Sequence, residues 1–233
     1  MTSQRSSSGC GSRIVAMDEI RVMNTDDDPL VRVALKHFIS RAPEITVIAE
    51  VENGVEAIAA YERLQPDIVM MDVQMPVMGG IEATGEITAR WPEACVLAVT
   101  TLDGRDTVLP MLSAGASGYM LKDSSADEIV SALRQAHQGT SSLSPRIAAM
   151  LVQHVRDAKT GGSGDELEPL TERESQVLEH LALGMSNSEM AETLHVSEGT
   201  VKAHLGSIMS KWHVRDRVQV LVTAARAGLV DFR

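Results

Sequence analysis

The stretch Asp67-Ile-Val-Met-Met-Asp72-Val-Gln-Met-Pro76 decides the fold of the first half of the chain. Its short apolar run, bounded by aspartates and closed by a proline, reads as a strand buried on both faces, and its carboxyl end delivers Asp72. Working outward, similar runs occupy residues 20–23, 46–51, 96–99 and 118–121. Helix-like periods fill residues 29–40, 54–64, 80–90, 104–114 and 125–138. Five strands alternating with five helices predict an α/β class domain: a five-stranded doubly wound parallel sheet covered on both faces. Such sheets gather ligands at the carboxyl ends of their strands.

Those ends carry a set of polar groups. The first strand runs into Asp26-Asp27-Asp28, the third ends at Asp72, the fourth ends at Thr100, and Lys122 follows the fifth. Singly, an acidic triplet before Pro29 is a helix cap, Thr100 a strand-end hydroxyl and Lys122 a surface lysine. Brought together by one sheet they form an acidic pocket. Clustered carboxylates repel one another and need a cation, and a hard divalent ion with oxygen ligands, most naturally Mg²⁺, satisfies them. With Lys122 to help neutralise an incoming phosphoryl group, Asp72 fits the part of a carboxylate nucleophile.

The second half reads differently. Residues 145–158 have a helical period, Thr160-Gly-Gly-Ser-Gly164 is a flexible linker, and beyond it only helical periods occur, near 172–183, 187–194, 198–211 and 216–227. The expected division is a disordered Ser- and Gly-rich extension (1–18), an α/β domain (19–140), a linker helix with its flexible tail (141–168) and an all-α domain of four helices (169–233). Aromatics make up only 3% of the chain, so both cores must be built from Ala, Val, Leu, Ile and Met.

A formal net charge of -11 argues against nucleic-acid binding at first sight. The charge is uneven, however. Residues 165–199 hold one base, Arg173, among nine acids, whereas residues 200–233 hold Lys202, Lys211, Arg215, Arg217, Arg226 and Arg233 against Asp216 and Asp231. Screening confines a field to about 10 Å, so a local basic stripe can bind phosphates on an acidic chain. The two cysteines, Cys10 and Cys95, imply no disulfide framework, and no apolar run is long enough to span a membrane. Both fit a cytoplasmic protein.

Within the helical half, Thr171 and Glu174 have capping-box spacing. Two short helices joined at His195-Val196-Ser197 fit a helix-turn-helix. Ser197 caps the second of them, whose free N–H groups suit phosphates. Thr200, Lys202, Ala203 and Gly206 lie on its exposed side, with Val201, Leu205 and Ile208 facing the core.

On Asp26-Asp27, Met71-Asp72-Val-Gln-Met-Pro76, Val99-Thr100-Thr101 and Gly115-Ala-Ser-Gly-Tyr-Met-Leu-Lys122, residues 20–139 resemble a receiver domain of flavodoxin-like fold. Leu170-Thr-Glu-Arg-Glu174, Gly184-Met-Ser-Asn-Ser-Glu-Met-Ala-Glu192 and Leu194-His-Val-Ser-Glu-Gly-Thr-Val-Lys-Ala-His204 resemble a LuxR-type DNA-binding domain. Nearly everything after Met17 resembles the NarL/FixJ class of two-component response regulators. The resemblance implies that Asp72 accepts a phosphoryl group from a sensor histidine kinase. It implies that Asp27, Asp72 and the backbone carbonyl of Gln74 ligate Mg²⁺ with help from Asp26, that Thr100 and Lys122 bind the phosphoryl oxygens, and that Tyr119 turns inward on activation. It places Lys202, Ala203 and Gly206 toward DNA bases, Thr200, His204, Lys211 and Arg215 toward phosphates, and Val218, Leu221 and Val222 in a homodimer contact. The receiver is expected to cover part of the third helix of the DNA-binding domain until phosphorylation exposes the last one.

The departures are specific. Asn24-Thr25 is polar for the end of a buried strand, Asp123 and Gly79 replace a commoner proline and acid, and Gly206 is too short to reach a base edge. Trp212-His213 stands where a Leu-Gly pair is usual, so another helix-end geometry is expected there. Two other readings compete: an aspartyl phosphatase, disfavoured because position 74 is Gln where such enzymes often carry an acid, and a constitutive dimer without phosphorylation, disfavoured by the intact pocket.

Overall fold

The computed structural model describes residues 19–101, 105–140, 143, 145–157 and 167–230. The expectations for the extension at 1–18, for Cys10 and for the Gly-Ser linker fall outside these residues. Five strands, β1 (Ile20–Thr25), β2 (Ile45–Val51), β3 (Ile68–Asp72), β4 (Val96–Thr100) and β5 (Gly118–Leu121), form one parallel sheet of order β2-β1-β3-β4-β5. The helices between and after them are α1 (Pro29–Ile39), α2 (Gly54–Leu64), α3 (Gly80–Arg90), α4 (Arg105–Ser113) and α5 (Ala126–His137). Strand side chains alternate between two layers, as a period of two requires. Met23, Val69, Met71, Val96 and Ala98 pack with α2, α3 and α4, whereas Val22, Ile68, Met70, Leu97 and Val99 pack with α1 and α5.

The polar end of β1 is buried like the rest of the strand. Asn24 donates its side-chain N–H to the Arg32 carbonyl at 3.2 Å, while Asn24 Oδ1 and Thr25 Oγ1 have no hydrogen-bond partner. Pairing with β2 and β3 on either side keeps this segment in the sheet in spite of its side chains.

The linker helix α6 (Pro145–Asp157) is not a free spacer. Ala148, Leu151 and Val152 are buried, and α6 packs between α4 and the last helix of the chain. One continuous apolar cluster therefore runs from the receiver-like sheet through α6 into the helical half. That half comprises α7 (Glu172–Ala182), α8 (Asn187–Leu194), α9 (Glu198–Trp212) and α10 (Arg217–Ala227). Capping boxes open α7 (Thr171 with Glu174) and α8 (Ser186 with Glu189). Val201, Leu205 and Ile208 on α9 are buried as their spacing predicts.

The end of α9 corrects one expectation. No new cap geometry replaces the missing glycine: His213 itself takes the left-handed conformation (φ 52) and its N–H reaches the Met209 and Ser210 carbonyls. His195 does the same at the end of α8. No helix among the described residues is long and apolar enough to cross a membrane.

Candidate functional site

The sheet register puts Thr25 beside Met71 and Asp72 beside Val99, so the tips of β1, β3 and β4 converge. Asp26 and Asp72 are buried there and Asp27 is exposed at the mouth, with one carboxylate oxygen from each lying within 4.8 Å of the others. Asp28 takes no part. It caps α1, accepting the Leu30 N–H at 2.8 Å, and its own N–H goes to Asp26 Oδ1 at 3.0 Å. Lys122 Nζ lies 2.6 Å from Asp26 Oδ2 and 3.2 Å from Asp72 Oδ1.

The loop after β3 fixes Asp72 closely. Val73 N–H donates to Asp72 Oδ1 at 2.8 Å, which leaves Oδ2 outside these bonds. The Gly80 N–H reaches the Val73 carbonyl, and a Cβ on Gly80 would stand 1.9 Å from the Asp72 carbonyl oxygen, so only glycine fits. Gly79, which stands where an acid is commoner, leaves α3 without a side-chain cap. Arg32, a residue that sequence reasoning overlooked, donates to the Asp26 carbonyl at 2.5 Å and pairs with Glu52.

The electrostatics leave the pocket short of positive charge. Burial pushes the Asp72 carboxyl up; Lys122 opposes this, and Asp26 adds to it by repulsion. Burial works against the Lys122 ammonium, but Asp26 and Asp72 hold it above its usual range. One lysine serves the cluster of three carboxylates, and it pairs with Asp26 and Asp72. An all-oxygen set of three carboxylates gathered around one ammonium fits a hard divalent cation. Thr100 is buried at the tip of β4, Tyr119 is half-buried on β5, and Gln74 is exposed in the β3–α3 loop.

In the helical half, Ser197 caps α9: its Oγ accepts the Thr200 N–H at 3.1 Å and lies 2.9 Å from Thr200 Oγ1. Lys202 and Ala203 are exposed, His204 and Gly206 are half-buried, and a Cβ on Gly206 would meet nothing. The face expected to read DNA is therefore presented outward. Lys211 and Arg215, expected to contact phosphates, are held internally instead. Lys211 pairs with the buried Glu174 at 2.7 Å. Arg215 is turned to the first domain, donating from Nε to Ser117 Oγ at 3.1 Å and from Nη1 to the Pro92 carbonyl at 3.0 Å.

The expected cover over the third helix of this domain is corrected in the same way. Among the described residues, the hydrogen bonds between the halves come from the α9–α10 turn and from α10. Gln219 donates to the Ala116 carbonyl at 3.3 Å and Arg226 to the Ser113 carbonyl at 3.3 Å. Val218, Leu221 and Val222 are buried, with α10 lying against α6 and α4. Arg217, which nothing in the sequence separates from a solvated arginine, is buried and ties α10 to the α7–α8 turn through the Met185 carbonyl (2.6 Å) and Asn187 Oδ1 (3.4 Å). Burial lowers its guanidinium to about 10.

Two family descriptions match the chain: the response regulator receiver domain over residues 22–134 and the bacterial regulatory proteins of the luxR family over residues 168–224. The transcriptional regulatory protein LnrK of Bacillus subtilis is 42% identical over 219 residues, covering 91% of this chain and all of that protein. The chain belongs to the NarL/LuxR family of response regulators. The transcriptional regulatory protein LiaR of B. subtilis is 37% identical to this response regulator, covering 91% of it and all of LiaR. Among solved structures, a LuxR-family two-component response regulator from Aurantimonas sp. SI85-9A1 is 38% identical, with a TM-score of 0.53 over 58% of this chain and 97% of that one. The acidic pocket thus lies in a receiver domain, and α7–α10 form a LuxR-type DNA-binding domain.

Proposed function

We propose that this DNA-binding response regulator is switched by phosphorylation of Asp72, with a sensor histidine kinase as donor and Mg²⁺ as cofactor. The observation that carries the reading is the approach of Asp26, Asp27 and Asp72 within 4.8 Å, with a single lysine to balance them. Asp72 Oδ1 is occupied by Val73 and Lys122, so Oδ2 is the oxygen that attacks phosphorus as the bond to the donor breaks. Asp26, Asp27, Asp72 and the Gln74 carbonyl would hold the metal, which supplies neutralisation of the phosphoryl oxygens. Lys122 and Thr100 then hold the new aspartyl phosphate, and Tyr119 follows Thr100 inward.

Helix α4 carries the change across the receiver. It begins shortly after Thr100 and ends at Ser113, whose carbonyl accepts from Arg226. Pro110 removes one internal hydrogen bond and makes α4 easier to shift. Its movement would loosen α10, uncover Val218, Leu221 and Val222 for pairing with a second copy, and free Arg215 for a DNA phosphate. Lys202, Ala203 and Gly206 would face bases, with Ser197, Thr200 and His204 at the backbone. Such a regulator would work in the cytoplasm.

Incubation with acetyl phosphate tests the chemistry. The intact chain should gain one phosphoryl group only with Mg²⁺ present, and Asp72→Asn should gain none by mass. Equal uptake by the variant would remove Asp72 as acceptor.

A further inference from the structure

Arg32 lies on the first turn of α1, with only 12% of its side chain exposed. Its guanidinium joins two segments at the edge of the acidic pocket. Nη1 donates to the Asp26 carbonyl at 2.5 Å, and Nη2 donates to Glu52, in the turn between β2 and α2, at 3.0 Å. Its main chain is engaged in the same place. The Arg32 N–H reaches the Asp28 carbonyl at 3.1 Å, and the Arg32 carbonyl accepts from the buried Asn24 side chain at 3.2 Å. The carbonyl that Nη1 holds belongs to the peptide between Asp26 and Asp27. A peptide is planar, so fixing its oxygen fixes how the chain leaves Asp26 and enters Asp27. Asp26 is buried and Asp27 is exposed. Carboxylates gathered within 4.8 Å repel one another, and the exposed one swings toward solvent unless its main chain is held.

We propose, resting on the reading of that pocket as a Mg²⁺ site, that Arg32 is its positioning residue: by tying the Asp26–Asp27 peptide to Glu52 it presets both carboxylates for the ion without touching it. Position and charge predict opposite signs here. Arg32 is a cation beside three carboxylates, so charge alone says that deleting it tightens a divalent ion. A positioning role says that deleting it loosens the ion, because the carboxylates must then be ordered at the moment of binding. Glu52 offsets the field of the guanidinium and leaves the positioning effect to dominate. The Lys36–Glu50 pair, one turn further along α1, supplies the comparison: it also ties α1 to the β2 side of the sheet but, among the described residues, pairs with no carboxylate of the pocket.

The test titrates Mg²⁺ by calorimetry into the full chain and its variants with no phosphodonor present. Arg32→Met should weaken binding about tenfold. Arg32→Lys, which keeps a cation but not the two-pronged fork, should weaken it by a smaller factor and carries the comparison if Arg32→Met fails to fold. Lys36→Met should leave it unchanged. With acetyl phosphate added, phosphorylation of Arg32→Met should be slow at the Mg²⁺ concentration that half-saturates the parent and should recover at saturating Mg²⁺, since Arg32 acts through the ligands and not on phosphorus. Equal or tighter Mg²⁺ binding in the Arg32 variants, an equal loss in Lys36→Met, or a rate that stays low at saturating Mg²⁺ would overturn the positioning role while leaving the metal site in place. An absence of Mg²⁺ binding in the parent chain would overturn the metal site itself, and the role of Arg32 with it.

Discussion

Glu174 completes the capping box of α7 and uses the same carboxylate to bind Lys211 at 2.7 Å and to accept from Ser207 Oγ at 2.6 Å. Burial works to raise its pKa, but Lys211, Ser207 and Thr171 together bring it down to about 2 from the ordinary 4.5. A depressed carboxyl stabilises the fold fully above its unfolded value, and that contribution is lost as pH falls from about 4.5 toward 2. Lys211→Met leaves the carboxylate buried without its cation and should cost about 2 kcal/mol at neutral pH. It should lower the urea midpoint of the helical signal and move acid unfolding to higher pH. If Lys211 were instead a free phosphate ligand, as its basic charge suggests in isolation, the variant would lose DNA affinity with no change in either transition.

At the scale of elements, the strands were legible because a buried parallel strand writes itself as a bare apolar run, and residues 68–71 and 118–121 leave little else to read. The helices were legible from caps such as Thr171 and Ser197, each of which the structure engages. The pocket followed from topology, since parallel strands present the same end. Features that depend on the domains meeting were not legible. Arg215 sits among bases and looks like a DNA contact, yet Ser117, 98 residues earlier in the chain, takes its Nε. His213 looked unfit for a left-handed cap because intrinsic preference favours glycine there, but the packing of Trp212 and Val214 on either side outweighs that preference. Inside α9, Gly206 serves no steric need: a Cβ there would meet no atom. Gly206→Ala should therefore stabilise the DNA-binding domain by about 1 kcal/mol, measured as a higher melting temperature. A fall would mean that the helix is bent or closely approached at that point.

For the whole molecule, the docked arrangement buries the proposed dimer contact while leaving the proposed reading face open, so under the proposed switch dimerisation would be the step that the receiver controls. Cys95 reports on that arrangement. It lines the cleft with Ser117, Arg215 and Asp216, and burial pushes its thiol up to about 11, with a smaller downward pull from Ser117. In a Cys10→Ser background, alkylation of Cys95 should be slow in the resting chain and several-fold faster once acetyl phosphate and Mg²⁺ are added. An unchanged rate would mean that the domains stay docked. The central claim is that phosphorylation of Asp72 switches DNA binding, and a gel-shift titration of the intact chain at fixed salt tests it most directly. Wild type and Asp72→Asn are each compared with and without acetyl phosphate and Mg²⁺, on DNA selected by the wild-type protein. The account predicts that affinity rises at least about tenfold for phosphorylated wild type and stays at the resting level for Asp72→Asn. An equal rise in Asp72→Asn, or no rise in wild type whose phosphorylation is verified by mass, would contradict it.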